Sequence, residues 1–318
     1  MKLGIIGCGK IAEYHLASMK KAGFELHSIS GTNNSLNAIK LSKKFKIKKV
    51  YSSSHEHIKS KEYDALLFLT PNEVTYKYLL SVDKSTKILA EKPITFYTSK
   101  LKKLRKNKNI KVAFNRRQYN SIELIKSKID KKEIFLIDIS IPEKINNINK
   151  TKKSREEYFN IFNNSIHIFD IIKYLVGKYS VESVINLKDK KNNSQGYVVY
   201  IASQKVKKII IKSIFNSPEN FSLIAYSNNI IYETRPIEIF KKYKGTKVIE
   251  PSSNYPLRRY LPIMIENREE LINLNSKPGF DKQAKAFFSF CNKKKTNLAN
   301  LDDLFQSLML AEKIFKNL

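Results

Sequence analysis

Residues 1–12 read MKLGIIGCGKIA and carry the strongest structural signal in the chain. The apolar run Leu3–Gly7 predicts a β-strand. The letters GCGKIA over 7–12 then give the spacing G-x-G-x-x-A before a predicted helix over 11–22. In this context Gly7 permits a tight turn, Gly9 lets the backbone approach a pyrophosphate, and Ala12 allows close helix–strand packing. The helix N-terminus adds N–H donors and a positive dipole. The stretch predicts a dinucleotide-binding unit; the alternative is a plain strand-to-helix link.

The sequence beyond this unit predicts two domains of different architecture. Up to residue 118, apolar strands alternate with helices, which is typical of a doubly wound parallel sheet. After residue 118, longer alternating runs predict antiparallel strands, with a helix over about 158–176 and two more near 280–291 and 301–315. We therefore expect an α/β protein with a Rossmann domain over 1–118. An α+β domain with a large open antiparallel sheet would follow over 119–318, for substrate binding and oligomerisation.

Composition limits the classes of partner. The 318 residues carry 59 Lys plus Arg against 29 Asp plus Glu, a net charge of +30. Only eight of the basic residues are Arg, and the lysines are spread along the chain, whereas phosphate-reading surfaces also use Arg forks. We expect a solvated basic surface and no nucleic-acid binding. Two cysteines and no apolar run near the length of a membrane span predict a reduced, cytoplasmic protein with no membrane contact.

The end of the second predicted strand bears on cofactor choice. It reads ISGTN over 29–33, and Gly31 stands where an acid that binds the adenosine ribose is expected. Without that carboxylate a 2′-phosphate is not repelled, and Ser30, Thr32 and Asn33 can donate to it. This favours NADP(H) slightly over NAD(H). The alternative is that Gly31 only makes a turn and NAD(H) binds through other groups.

The fifth predicted strand ends in Glu91-Lys92-Pro93. Ligands of open α/β sheets bind beyond the carboxyl ends of the strands, so a lysine fixed there can donate to a substrate hydroxyl or carbonyl. The alternative is an ordinary solvent-facing lysine. We expect the cofactor site to be lined by the loop and strand-end residues Gly7, Gly9, Lys10, Ile11, Ser30, Gly31, Thr32, Thr70, Pro71, Asn72, Glu91 and Lys92.

These motifs together resemble the Gfo/Idh/MocA oxidoreductases, the family of glucose–fructose oxidoreductase and inositol dehydrogenase. The resemblance rests on the glycine motif, on E-K-P at 91–93, on FNRR over 114–117 and on NNSIHIFD over 163–170, which is similar to the family's D-x-x-x-H-x-x-D. It covers nearly the whole chain. It implies an NAD(P)-dependent oxidoreductase acting on CH–OH groups of a sugar-like alcohol or ketone, with a sugar nucleotide of surface-polysaccharide biosynthesis as one candidate.

The resemblance also implies roles for individual residues. Lys92 matches the family's catalytic lysine, and His167 matches its catalytic histidine. The family's aspartate falls on Asn163, which shares a helix face with His167 if both lie on one helix, but which cannot accept a proton. His167 is then the proton acceptor of this segment. Asn163, Arg116 and Asp170 are candidate substrate-binding residues. Asp170 can alternatively orient the imidazole or serve packing, and Arg116 can form an ion pair.

Two other functions stay open at this stage. One is reduction of an imine or tetrapyrrole, as in the related biliverdin reductases. The other is a cofactor-binding regulatory protein with impaired turnover, which the Asn163 departure would explain. His15, where the family often has a histidine, predicts a packing or polar contact near the cofactor. No metal site is expected, since His55 and His57 lack a third ligand nearby. The family's open sheet pairs subunits, so we expect a homodimer or homotetramer.

Overall fold

The structure is a computed structural model that describes residues 1–145, 161–270 and 276–318. It divides into two compact units. The first unit comprises Met1–Gln118 and Leu271–Met309, and the second comprises Tyr119–Glu270 and Leu310–Leu318. The sequence places a single change of domain after residue 118 and assigns everything beyond it to the second domain. The structure differs in one respect, because the described residues 276–309 return to the first unit.

The first unit is built on a mostly parallel sheet. Among the described residues its strands are β1 (Lys2–Ile6), β2 (Glu25–Ser30), β3 (Lys49–Tyr51), β4 (Ala65–Phe68), β5 (Lys87–Glu91), β6 (Ile110–Ala113) and the late strand β15 (Ala299–Asn300). Their order is β15-β6-β5-β4-β1-β2-β3. Strands β1 to β6 pair in parallel, and β15 pairs antiparallel with β6. The predicted doubly wound sheet is confirmed.

Helices connect these strands, as the alternating sequence predicts. They are α1 (Ala12–Lys21), α2 (Leu36–Phe45), α3 (Ser54–Ser60), α4 (Asn72–Ser81) and α5 (Thr98–Leu104). The central strand β4 is buried at every position, which accounts for its unbroken apolar sequence. Ser35 and Ser53 begin α2 and α3 by accepting hydrogen bonds from the backbone N–H groups of Ala38 and Glu56.

The returning segment completes the core of the first unit. Helix α8 (Phe280–Cys291) packs against α1 and the start of β2. There the Phe24 ring lies 5.5 Å from that of Phe287 and 5.1 Å from that of Phe288, between centroids. Ser18 on α1 donates to Asp281 on α8 at 2.7 Å. Helical periodicity predicts that α8 buries one face, but it does not indicate the surface on which that face packs. This is why the domain assignment from sequence differs.

The second unit contains the antiparallel sheet that the sequence predicts. Its described strands are β7 (Ile134–Ser140), β8 (Tyr179–Lys188), β9 (Ser194–Ser203), β10 (Lys208–Ile214), β11 (Ser222–Ser227), β12 (Ile230–Thr234), β13 (Ile239–Ile249) and β14 (Arg259–Glu269). They lie in the order β14-β13-β12-β11-β7-β10-β9-β8, and only the β7–β10 pair is parallel. Ile137 and Ile211 are buried on one face, whereas Asp138 and Lys212 alternate with them and are half-buried.

One helix of the second unit begins later than the sequence predicts. Helix α6 spans Asn120–Asp130, and α7 spans Ile166–Val176 and ends at Gly177, whose φ is +75°. The predicted helix over 158–176 lies partly outside the described residues. Within them, residues 163–165 form a turn before α7. The last helix, α9, spans Leu301–Phe315. In the described ranges no helix combines the length and apolar character needed to cross a bilayer.

Candidate active site

The glycine-rich loop lies between β1 and α1, as its motif requires. Gly7 has φ +107°, and a Cβ there would lie 2.6 Å from the backbone of Leu69, so the turn needs glycine. Apart from its two chain neighbours, a Cβ at Gly9 would meet no atom of the described residues within 4 Å. The space next to Gly9 is therefore open to a ligand. Exposed Lys10 and half-buried Ile11 lead into α1, whose first turn has no side-chain cap. These features fit a dinucleotide pyrophosphate.

The end of β2 rests on a buried network of hydroxyl groups around an imidazole. Ser28 Oγ lies 2.7 Å from His57 Nε2, and Ser30 Oγ lies 3.0 Å from His57 Nδ1. Burial lowers the pKa of His57 to about 4, so the ring is neutral at pH 7. Ser30 is fully buried and also donates to Ser54 Oγ at 3.3 Å. Its hydroxyl is therefore not available to a cofactor phosphate, in contrast to the sequence-based expectation.

Gly31 lies in a crowded turn. A Cβ there would lie 2.5 Å from Cys8 Sγ and 2.7 Å from Ser35 Cβ, so any side chain must displace both groups. Cys8 Sγ and Ser35 Oγ are themselves in contact at 3.1 Å. Close packing against Cys8 and Ser35 therefore accounts for a glycine at this turn. Thr32 and Asn33 follow it and are exposed, so they are the polar side chains accessible here.

The carboxyl end of β4 lies next to the glycine-rich loop. The Cβ position of Gly7 is 2.9 Å from the backbone nitrogen of Thr70. Thr70 Oγ1 hydrogen-bonds with Thr75 Oγ1 at 2.7 Å, and Thr75 is fully buried. Pro71 is exposed immediately before α4, and half-buried Asn72 is the first residue of that helix. The structure thus brings the predicted residues 70–72 together with the glycines of the loop.

Glu91 and Lys92 follow at the end of β5. His15 Nε2 donates to Glu91 Oε1 at 2.7 Å, and the backbone N–H of Lys92 donates to Glu91 Oε2 at 3.2 Å. The Lys92–Pro93 peptide bond is cis. The sequence predicts a polar contact for His15, but not its partner, because residues 15 and 91 are brought together only by the parallel sheet.

Lys92 is half-buried, and one acidic and one basic residue act on its charge. Burial lowers its pKa, the Glu91 charge opposes that lowering, and the Arg116 charge adds to it. Arg116 lies in a 3-10 turn over Asn115–Gln118, after β6, and β5 and β6 end side by side with Glu91 opposite Ala113. Lys92 and Arg116 therefore follow neighbouring strand ends. The adjacent Arg117 is buried and donates to Asp303 Oδ2 at 3.3 Å and to the Asn297 carbonyl at 3.2 Å.

His167 lies in the first turn of α7, in the second unit. Its side chain is 8% exposed, and its backbone N–H donates to the Asn164 carbonyl at 3.2 Å. Asn163 is exposed in the turn that precedes α7, so the two residues do not share the face of one continuous helix as the sequence predicts. The local reason is the turn over 163–165, which interrupts the helical pattern before Ile166.

Asp170 is fully buried on α7. Burial, and after it the Asp170 charge, raises the pKa of Tyr179 on β8. A fully buried carboxylate is less suited to direct substrate binding than to the orienting or packing role that the sequence left open.

The start of α7 is held by a buried acid that the sequence analysis did not single out. Ser165 Oγ donates to Glu143 Oε1, and Glu143 is 4% exposed. Burial raises the pKa of Glu143 to about 8, with Ser165 opposing the shift. Glu143 is then mainly protonated at neutral pH. The signal available in the sequence was one Glu between Pro142 and Lys144 after a strand, which is too common to indicate burial.

The first unit matches a known family. The model of the Gfo/Idh/MocA oxidoreductases, described as an oxidoreductase family with an NAD-binding Rossmann fold, matches residues 1–116. The family resemblance is therefore confirmed on the residues that form the glycine-rich loop and the E-K-P strand end. No curated protein matches the chain.

Solved structures share the fold over the whole chain. They include a probable dehydrogenase from Thermotoga maritima, at 16% identity and TM-score 0.72, covering 100% of this chain and 96% of that one. A levoglucosan dehydrogenase in complex with NADH and L-sorbose is 14% identical, with TM-score 0.75 and the same coverage. The dehydrogenase MviM from Clostridium difficile is 17% identical, with TM-score 0.74, covering 100% of this chain and 99% of that one. At such identities the likeness shows the fold.

Proposed function

We infer that the chain belongs to the Gfo/Idh/MocA oxidoreductases, whose family model, with an NAD-binding Rossmann fold, matches residues 1–116. We propose that it is a nicotinamide-dependent dehydrogenase or reductase that interconverts a sugar-like alcohol and the corresponding ketone. One observation supports this above the others. The open space next to Gly9 and the half-buried Lys92 both lie at carboxyl ends of strands of one parallel sheet, where ligands of such sheets bind.

The chemistry divides between the cofactor and two side chains. When bound, the nicotinamide accepts or supplies the hydride. Lys92 donates to the substrate oxygen and stabilises the negative charge that develops on it. Burial lowers the pKa of Lys92, which brings the ammonium closer to the range in which it can also exchange a proton. His167 accepts the hydroxyl proton during oxidation, since Asn163 cannot. Reduction is the reverse.

The substrate class is supported by polar donors and by the relatives. Exposed Asn163 and half-buried Arg116 offer hydrogen bonds to hydroxyl, carboxylate or phosphate oxygens. Structures that share the fold include levoglucosan dehydrogenase with L-sorbose and with levoglucosan. A free sugar or a sugar nucleotide is therefore the substrate that we propose. For the cofactor, NADP(H) remains a proposal beside NAD(H), supported by the exposed Thr32 and Asn33 and by the lack of a carboxylate at Gly31.

A substrate screen tests this function. The purified protein is incubated with NAD⁺ or NADP⁺ and a panel of free sugars, polyols and UDP-, GDP- and dTDP-sugars, and nicotinamide absorbance is followed. The matching ketones are tested with NADH and NADPH. We expect turnover with at least one compound, lost in Lys92→Ala. Activity on biliverdin or a cyclic imine alone would replace the sugar proposal with imine or tetrapyrrole reduction.

One observation favours a second candidate. Asn163 stands in an exposed turn where the family has an acid, so the proton-transfer machinery is reduced. A regulatory protein that binds the cofactor without turnover would show micromolar or tighter cofactor affinity and no change in nicotinamide absorbance with any compound of the panel.

A further inference from the structure

A chain of contacts in the first unit connects the start of α1 to Lys92. His15 lies one turn into α1, is only 1% exposed, and donates through Nε2 to Glu91 Oε1 at 2.7 Å. The second carboxylate oxygen, Oε2, accepts the backbone N–H of Lys92 at 3.2 Å. Glu91 is partly exposed, with 19% of its side chain accessible. Its carboxylate is therefore fixed from two sides rather than by burial.

The imidazole is itself held by the returning segment. The Phe280 ring, at the start of α8, lies 4.7 Å from the His15 ring between centroids. The next residue, Asp281, accepts hydrogen bonds from Ser18 at 2.7 Å and Lys21 at 2.5 Å, both on α1. The first turn of α8 is thus fastened to the helix that carries His15. This gives the returning segment a role beyond filling the core.

The charge of Glu91 acts on Lys92. Burial and the Arg116 charge lower the pKa of Lys92, and Glu91 is the acid that opposes them. A carboxylate that moved into solvent would lose most of this effect, because the attraction between two charges weakens with distance and with the dielectric constant of water. The position of Glu91 therefore matters for the protonation of Lys92, and the residue that fixes this position is His15.

We propose that His15 is a positioning residue that holds the Glu91 carboxylate and, through it, the backbone and ammonium group of Lys92. The catalytic meaning of this arrangement rests on the proposed function, in which Lys92 binds the substrate oxygen. The arrangement itself does not, so it can be tested without a substrate.

Four variants separate the contributions of the His15 hydrogen bond, the His15 ring and the Glu91 charge. His15→Phe keeps a ring against Phe280 but removes the hydrogen bond, and His15→Gln keeps an amide donor near the position of Nε2. Glu91→Gln removes the charge and retains a carbonyl acceptor. His27→Phe is the matched control, because His27 also lies near a glutamate of this unit, Glu25, at 3.5 Å, but on β2.

The protonation of Lys92 can be measured without turnover by competitive acetylation of the lysines with acetic anhydride across a range of pH. Mass spectrometry of the peptide that contains Lys92 then gives its degree of acetylation. At a fixed pH below its pKa we expect Glu91→Gln and His15→Phe to raise the deprotonated fraction of Lys92 about threefold or more, because losing the nearby Glu91 charge lowers the pKa of Lys92. We expect His15→Gln and His27→Phe to leave it within about 1.5-fold of the wild type.

The outcomes separate this inference from the proposed function. If Glu91→Gln raises the deprotonated fraction of Lys92 and His15→Phe does not, Glu91 acts without His15 and the inference is wrong. If His15→Gln raises the deprotonated fraction of Lys92 as much as His15→Phe does, the effect is a packing defect and the inference also fails. If the labelling behaves as expected but no substrate turns over, the positioning holds and the proposed dehydrogenase function fails. Where turnover is found, His15→Phe should lower kcat more than it changes NADH affinity.

Discussion

The glycines of the first loop differ in what surrounds them. At Gly7 a side chain would collide with the backbone of Leu69, whereas at Gly9 it would enter open space. Gly7 is thus required by the fold, and Gly9 is required only if a ligand occupies that space. This difference makes the cofactor site testable by two substitutions that look equivalent in the sequence.

Gly9→Val should abolish NADH and NADPH binding while leaving the protein folded, because the side chain takes the volume of the pyrophosphate and its Cβ lies in open space. Gly7→Val should instead lower the free energy of unfolding, by strain at positive φ and collision with Leu69. Calorimetric titration with each cofactor, with circular dichroism melts as the control, measures both effects. Unchanged affinity in Gly9→Val would place the cofactor elsewhere.

Cofactor preference can be tested at Gly31, provided that packing is separated from charge. Gly31→Ala reports the cost of displacing Cys8 and Ser35, and Gly31→Asp adds a carboxylate. Relative to Gly31→Ala, we expect Gly31→Asp to weaken NADPH binding by about tenfold or more through repulsion of the 2′-phosphate, and NADH binding much less. The wild type should bind NADPH at least as tightly as NADH. A wild type that strongly prefers NADH would contradict the NADP(H) proposal.

Elements differ in how far the sequence predicts them. Strand β4 is predicted because both of its faces are buried and every residue is apolar. Helix α8 is predicted as an element but assigned to the wrong unit, because its apolar face indicates burial without naming α1 as partner. Ser30 has a residue type that suits a ligand, yet its hydroxyl faces His57 within the core. Sequence position does not give side-chain direction at a strand end.

The packing of α8 predicts a stability effect far from its place in the chain. Phe287→Ala should destabilise the first unit by about 3–5 kcal/mol, the usual cost of truncating a buried Phe, and should weaken cofactor binding as that unit unfolds. Phe135→Ala is the control, since Phe135 on β7 is 50% exposed. Urea unfolding with and without NADH measures the effect. Equal stability of the two variants would contradict the assignment of α8 to the first unit.

The buried Glu143 at the start of α7 should make the stability of the protein depend on pH. Glu143 has its pKa raised to about 8 from 4.5, so the folded state keeps a proton that the unfolded state releases, and stability falls as the pH rises from about 4.5 to about 8. A shift of this size corresponds to on the order of 5 kcal/mol. Glu143→Gln removes the titration. Its melting temperature should therefore exceed that of the wild type more at pH 9 than at pH 5. A difference independent of pH would show that Glu143 is not buried as described.

For the whole molecule, the second unit's sheet ends in an exposed apolar strand. On β14, at the sheet edge, Leu261, Met264 and Ile265 are 39%, 52% and 49% exposed. Exposed apolar surface of this kind favours association, and we propose that a homodimer or homotetramer forms through this sheet. The net charge of +30 opposes association. Association should therefore strengthen as salt screens the repulsion between subunits.

Light scattering coupled to gel filtration tests this assembly. We expect a dimer or tetramer for the wild type and a shift towards monomer in the double variant Met264→Lys/Ile265→Lys, because two added charges oppose burial of the strand. Leu36→Lys, at a residue of the first unit that is 81% exposed, is the control and should keep the wild-type mass. A monomeric wild type in moderate salt would rule out the proposed assembly.

The proposed function depends on Lys92 and His167. The measurement that bears on both is turnover on a compound found in the screen, for wild type, Lys92→Ala and His167→Ala, together with cofactor affinity by calorimetry. We predict that each variant loses about 100-fold or more in kcat, the usual worth of a positioned acid–base group, while cofactor affinity changes only a few-fold. Near-normal turnover in either variant, with the cofactor bound normally, would contradict the assignment of that residue to the chemistry.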